Sequence, residues 1–330
     1  MSRVARLAVP LLLVVSRLPA ANLEPPMWVH SQSPLQSLHL GLLPAVPGEL
    51  DPGEVSVQRS ETWTNVWIDQ RPELLVDYEA IDSRLGINAG LPRSMQFQIA
   101  LEDRIGTGGR LDPLIESFHK VIGNHDARHT VERDSINIEV RDPRTGALLV
   151  SRRSLGQFSR GVDLTPAKRY AAGRGEASGA VSVRVPRQGS EAFAPAGMDS
   201  AISLAWSGLI RGRSVHAGAG LSRFASTYVG PVRARRAGRT LFIAAAQPAS
   251  PRTAFIAQYL YNASVTETGP LASGSHEVTV GARLHLTPAT AIDAGIVENV
   301  INFKNGPDFG FHFGLTRQIK RTRNTVHSER

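Results

Sequence analysis

The sequence predicts an all-β protein, a closed antiparallel transmembrane β-barrel of about twelve strands with a short helix in a long outer loop. Three observations lead there. First, strict two-residue alternation recurs along the chain, as it does when successive side chains point to opposite faces of a strand. Ile81, Ser83, Leu85, Ile87, Ala89 and Leu91 alternate with Asp82, Arg84, Gly86, Asn88 and Gly90. Near the C-terminus Phe309, Phe311, Phe313 and Leu315 alternate with Gly310, His312, Gly314 and Thr316. Second, the links sort by length. Those after the second, sixth, eighth and tenth alternating stretches are short, and those after the third, fifth, seventh and ninth are longer. Outer-membrane barrels sort their periplasmic turns and outer loops this way, and a soluble sandwich has no reason to. Third, two hairpins each set opposite charges against one another on the small, polar face. A turn at Pro92–Ser94 places Arg84 opposite Glu102, and setting Leu286 against Thr290 places Arg283 opposite Asp293.

In chain order, residues 1–21 read as a signal peptide: Arg3 and Arg6 precede an apolar run from Leu7 to Val15, with a cleavage site near Ala20 or Ala21. Residues 22–52 are Pro-rich and irregular and read as a periplasmic lead-in or plug segment. The barrel is expected over 53–319, and its first strand runs from about Gly53 to Ile68. Residues 103–156 form a long outer loop. Within it Leu111, Leu114, Ile115, Phe118, Val121 and Ile122 have helical spacing, and a small hairpin is expected around the turn at Asp142–Gly146. A strand from Phe158 to Tyr170 is interrupted by Pro166. Strands at Val181–Val185, Ile202–Trp206, Val215–Phe224, Thr240–Gln247, Thr253–Asn262, Val278–Leu286 and Ala291–Val300 follow, and a basic tail, 320–330, closes the chain.

Composition narrows the classes of function. The chain holds no cysteine, which excludes thiol catalysis, disulfides and Cys-ligated zinc. No run approaches the roughly 18 apolar residues of a spanning helix, so any crossing is by strands. Lys and Arg exceed Asp and Glu by 37 − 29 = 8. Part of that excess crowds one loop, at Arg233, Arg235, Arg236 and Arg239. Arg forks there suit the phosphates of lipopolysaccharide, whereas nucleic acid is not expected because no aromatic residues are interleaved.

Several stretches resemble a family of Gram-negative outer-membrane barrels catalogued as a domain of unknown function. They are Ser37-Leu-His-Leu-Gly-Leu-Leu-Pro44, Trp63-Thr-Asn-Val-Trp67, the strand pair Ile81–Leu101, Gly109-Arg-Leu-Asp-Pro-Leu-Ile-Glu-Ser-Phe-His-Lys-Val-Ile-Gly123 and Pro307-Asp-Phe-Gly-Phe-His-Phe-Gly-Leu315. The resemblance implies an exported barrel and brings no activity, substrate or catalytic residue. The basic tail departs from barrels that finish on an aromatic residue.

Candidate chemistry is sparse. His125 and His129 have the i, i+4 spacing that puts two imidazoles on one helical face, a weak metal candidate beside the alternative of a helix end at Gly123-Asn124. Ser214 near His216, or His312 in the last strand, are components a lipid-acting hydrolase would need, but no nucleophile elbow accompanies them. No cofactor or catalytic residue is expected. Arg84, Glu102, Arg283 and Asp293 either line a pore or satisfy one another. The expected function is a narrow pore or structural barrel in the outer membrane, biased towards anionic solutes if the lumen is net basic. Its partners would be lipids and the barrel assembly machinery. A membrane-embedded lipid-acting hydrolase and a soluble periplasmic β-sheet protein are the alternatives.

Overall fold

The structure is a computed structural model. It describes residues 23–41, 50–109, 135–142, 145–152, 156–187, 197–229, 232–267, 269–299 and 304–319, with 111, 113 and 301. The expected signal peptide, the basic tail and nearly all of the expected helix over 111–122 lie outside these residues.

The strands are β1 (Val55–Gln70), β2 (Leu74–Leu91), β3 (Met95–Thr107), β4 (Asn137–Arg141), β5 (Leu148–Arg152), β6 (Gln157–Ala172), β7 (Gly175–Pro186), β8 (Asp199–Ile210), β9 (Arg213–Arg223), β10 (Tyr228–Val229), β11 (Val232–Arg233), β12 (Ala237–Ser250), β13 (Thr253–Asn262), β14 (Ser275–Thr287), β15 (Thr290–Asn299) and β16 (Phe309–Ile319). Fourteen of them form one antiparallel sheet, in which β1 pairs with β16 on one side and β2 on the other. The sheet is therefore closed and presents no open edge along its wall. Removing β4 and β5, which only extend β2, leaves 14 − 2 = 12 strands in the barrel.

Burial follows the alternation. Arg84, Glu102, Asp163, Arg184, Arg283, Asp293 and His312 are buried on the inner face. Leu204 is 71% exposed, Phe255 60% and Phe313 57% on the outer one. A continuous belt of such side chains has no place in water and fits a hydrocarbon solvent. Among the described residues no helix is long and apolar enough to cross a membrane.

Register explains why the hairpins close as they do. Leu91 faces Met95 across Pro92–Ser94, which puts Arg84 opposite Glu102. In the β14–β15 hairpin a one-residue irregularity after His285 pairs Thr287, rather than Leu286, with Thr290, and Arg283 still faces Asp293. Pro166 does not break β6. It sits opposite Phe97 of β3, and the ladder to β7 skips from Leu164 to Ala167, so the bond that its missing N–H cannot make is lost on one side only.

One rim carries the tight turns 92–94, 173–174, 211–212, 251–252 and 288–289. At the opposite rim the strand ends and loops build an apolar cap. Here β1 and β2 overshoot the barrel, β4 adds to β2 at Leu74–Asp77, and β5 adds to β4. Val66, Ile68, Leu74, Val76, Ile138 and Val140 pack with Phe224, Val232, Val265 and Leu271. Tyr78 packs against Phe158, ring centroids 4.9 Å apart, inside this cap.

Candidate functional site: the occupied lumen

Residues 23–41 lie inside the barrel, and their hydrogen bonds trace a course from one rim to the other. At the tight-turn rim the Glu24 N–H donates to Ser214 Oγ at 2.8 Å, and the Arg283 guanidinium donates to the Pro25 carbonyl at 2.7 Å. Further in, the Met27 N–H donates to Gln258 Oε1 at 3.0 Å. Ser31 Oγ and the Gln32 N–H both donate to the Glu277 carboxylate, at 2.6 and 2.7 Å. Ser33 Oγ then reaches Asn305 of the β15–β16 loop at 3.1 Å. A single 3-10 turn, Gln36–Leu38, follows, and Leu35 and Leu38 join the apolar cap. Beyond it the Leu40 N–H donates to Asp199 Oδ2 at 3.1 Å, and Arg184 Nη1 donates to the His39 carbonyl at 2.9 Å. The chain reappears at the tight-turn rim, where Arg169 donates to the Leu50 carbonyl at 3.2 Å. We call residues 24–41 the lumen strap.

Shape holds the strap as well as hydrogen bonding. Trp28 lies against Gly86, where an added Cβ would meet the indole at 2.5 Å. Met27 and Val29 pack on Ala246, Ile256 and Val297 of the wall, and Met27 covers Gly295. The strap returns upon itself so closely that a Cβ on Gly41 would lie 3.2 Å from His30 Nε2. Small inward residues on the strands therefore make the room that the strap fills.

Around the middle of the strap the inner face carries a network of buried charges. Arg84 is 3.2 Å from Asp82 and 3.7 Å from Asp163, and it is bonded to Glu102. Arg184 is 3.1 Å from Asp163 and also contacts Glu102. Arg104, with no exposed surface, donates to Gln32 Oε1 of the strap at 2.9 Å and lies 3.4 Å from Asp82. His39 Nδ1 is 3.1 Å from Asp199. Burying several ions is tolerable only because each has a partner of opposite sign and the strap's polar atoms satisfy more of them. Nearer the tight turns Arg283 donates to both oxygens of Asp293, at 2.7 and 2.8 Å.

Thus Arg84 pairs with Glu102, and Arg283 with Asp293, on the inner face. The inner face is not net basic: Arg84, Arg104, Arg184 and Arg283 stand against Asp82, Glu102, Asp163, Asp199, Glu277 and Asp293, or 4 − 6 = −2 among its described buried side chains. The condition for an anionic bias therefore fails. Arg233, Arg235, Arg236 and Arg239 are exposed at the rim opposite the tight turns, and Arg235 lies 3.9 Å from Glu267. His125 and His129 lie outside the described residues. Ser214 is not the partner of His216. His216 Nδ1 pairs with Ser207 Oγ at 2.8 Å, its Nε2 meets the Glu24 carbonyl at 2.7 Å, and both side chains face the lumen. His312 likewise faces inward, with Nδ1 3.0 Å from Thr62 Oγ1.

The strap was not foreseeable from periodicity, since it has none. One signal did exist: from Pro25 to Gly48 there is no charged residue, which is unusual for an exported segment exposed to water.

A twelve-stranded closed barrel with an apolar outer wall and a polar interior that residues 24–41 enter defines the class as an outer-membrane-type β-barrel. The chain matches the family model described as "Protein of unknown function (DUF3187)" over residues 6–319, and it belongs to that family. No curated protein matches it. Among solved structures it is similar to the COG4313 outer membrane channel from Pseudomonas putida F1, at 9% identity and TM-score 0.53, covering 83% of this chain and 100% of that one. It is also similar to the translocator domain of the autotransporter NalP from Neisseria meningitidis, at 10% identity and TM-score 0.45, covering 82% and 90%. The NanC porin matches at 7% identity and TM-score 0.47, covering 79% and 100%. At these identities the likeness is one of fold.

Proposed function

We propose that this chain is a narrow outer-membrane channel held shut by its own lumen strap. The observation that carries the reading is the course of residues 24–41, which pass between the rims inside a twelve-stranded wall. About eight strands leave room only for side chains, whereas a larger barrel must fill its lumen or conduct through it. Here the filling is an irregular piece of chain whose one carboxylate is Glu24, attached by hydrogen bonds, by the contacts of Glu24 with Arg283 and His285, and by small-residue packing. Such a filling can leave without unfolding the wall. The apolar cap closes the outer mouth over the strap's apex.

In this reading the tight-turn rim is periplasmic, the cap is outer, and residues 1–21 are the export signal. Planar-bilayer recording of the chain with and without residues 24–41 tests the reading. Equal current from both proteins, each shown to be folded by heat-modifiable gel migration, sinks it. The exposed position of Phe255, Phe313 and Leu204 favours this reading over a soluble periplasmic protein. The inward Ser207–His216 pair, capped by a strap carbonyl, offers no nucleophile to a lipid on the outer wall.

On the same topology the four arginines Arg233, Arg235, Arg236 and Arg239 stand at the outer rim, where their forks suit lipopolysaccharide phosphates. Replacing all four by Gln should lower the lipopolysaccharide that co-purifies with the barrel and sensitise the outer membrane to detergents. No change in either marks them as a solvated loop.

A further inference from the structure

The outer wall is mostly apolar, but one group of charged side chains stands together on it. On β1, β2, β3 and β6 a row of outward positions in register reads Glu61, Ser83, Asp103, Arg160, with Arg59 one step below Glu61. Arg187, just past β7, is tied to the row through its N–H, which donates to the Arg160 carbonyl at 2.9 Å. Arg59, Ser83, Asp103, Arg160 and Arg187 rim a hollow of about 530 Å³ whose apolar floor includes Leu85, Leu101 and Val162. Arg59 pairs with Glu61 at 2.5 Å and Arg160 with Asp103 at 2.7 Å. Among the described residues Arg187 has no carboxylate partner. The group is net positive, three arginines against two carboxylates.

Its height is informative. Outward positions of β3 from the tight turn are Met95, Phe97, Ile99 and Leu101, all apolar, and then Asp103. The eight steps from residue 95 to residue 103 climb about 20 Å in a strand tilted some 40°. That is close to the height of an apolar band of about 25 Å. Asp103 and Arg160 thus stand near the end of such a band, on the side of the wide loops, with Ile105 as the next outward residue of β3. A lipid-facing arginine is costly in mid-membrane and nearly free at the interface, where phosphates lie.

We propose that this hollow is a binding site for one phosphorylated, acylated lipid of the outer leaflet. Arg160 and Arg187 take a phosphate between their forks, Asp103 orients Arg160, and an acyl chain lies on Leu85, Leu101 and Val162. Guanidinium pairs match phosphate geometry, and the adjoining apolar floor suits the chain attached to it. The site is separate from the lumen and from the arginines of the β9–β12 loop. It rests on the chain being an outer-membrane barrel.

Native mass spectrometry of the full-length protein in detergent, titrated with lipid A, dephosphorylated lipid A or inorganic phosphate, tests it. The expected result is one lipid A bound at least about tenfold more tightly than its dephosphorylated form, with R160Q/R187Q losing about that factor and R317Q, an outward arginine at the tight-turn rim, losing none. Equal binding by R160Q/R187Q overturns the site. Inorganic phosphate competing as well as lipid A overturns the lipid assignment. Failure of the barrel reading would show separately, as a chain that leaves the membrane fraction or migrates alike boiled and unboiled.

Discussion

Removing residues 24–41 is expected to turn a silent barrel into a conducting one. The full-length chain should leave the bilayer current at baseline, because the strap occupies the lumen and its apex, Leu35 and Leu38, is built into the apolar cap. The shortened chain should give discrete steps. It should also favour cations modestly, since the emptied inner face retains four arginines against six carboxylates. The reversal potential in a salt gradient reads that preference, and a clear anion preference would contradict the charge assignment. Loss of the strap removes partners from Arg104, Arg184 and Glu277, but water enters in its place and solvates them. The wall hydrogen bonds between β16, β1 and β2 are untouched, so heat-modifiable migration should survive.

Replacing Arg84 by Met should be among the most destabilising single changes in the wall. The side chain is 1% exposed and faces Asp82, Glu102 and Asp163, so three carboxylates lose their shared cation. Breaking a buried ion pair from one side costs about 3–5 kcal/mol, and the remaining contacts of Arg184 place the expectation near the lower figure. The urea midpoint for loss of the heat-modifiable form measures it. Adding Glu102→Gln should recover part of the loss, since it removes one of the stranded charges. A cost below about 1 kcal/mol would mean that water reaches these groups freely, and hence that the strap does not seal the lumen.

How much of this was legible in the sequence depends on where the physics is local. The hairpin register is local: a short turn plus a two-residue period leaves one alignment that keeps Leu85, Ile87 and Leu91 on the lipid face, and Arg84 then meets Glu102. The third strand partner of that pair is not local. Arg184 reaches Glu102 only because β3, β6 and β7 are neighbours in the closed sheet. Pro166 looked like an interruption because a lone strand loses a bond there, yet the ladder to β3 carries it. The strap is the clearest case. Ser31, Gln32 and Ser33 are polar, unpatterned and almost wholly buried, because their partners Glu277, Arg104 and Asn305 lie far along the chain.

The central claim is that residues 24–41 sit inside the wall, and cross-linking tests it most directly. The chain has no cysteine of its own. A Ser31→Cys, Glu277→Cys variant therefore presents a single thiol pair, at positions whose native side chains meet at 2.6 Å. In isolated outer membranes a short bifunctional thiol reagent should join the two in most of the folded protein, giving a compact band on denaturing gels. Each single variant should give none. A folded, heat-modifiable barrel in which the pair stays uncross-linked would show that the strap lies elsewhere, and the channel would then need another gate.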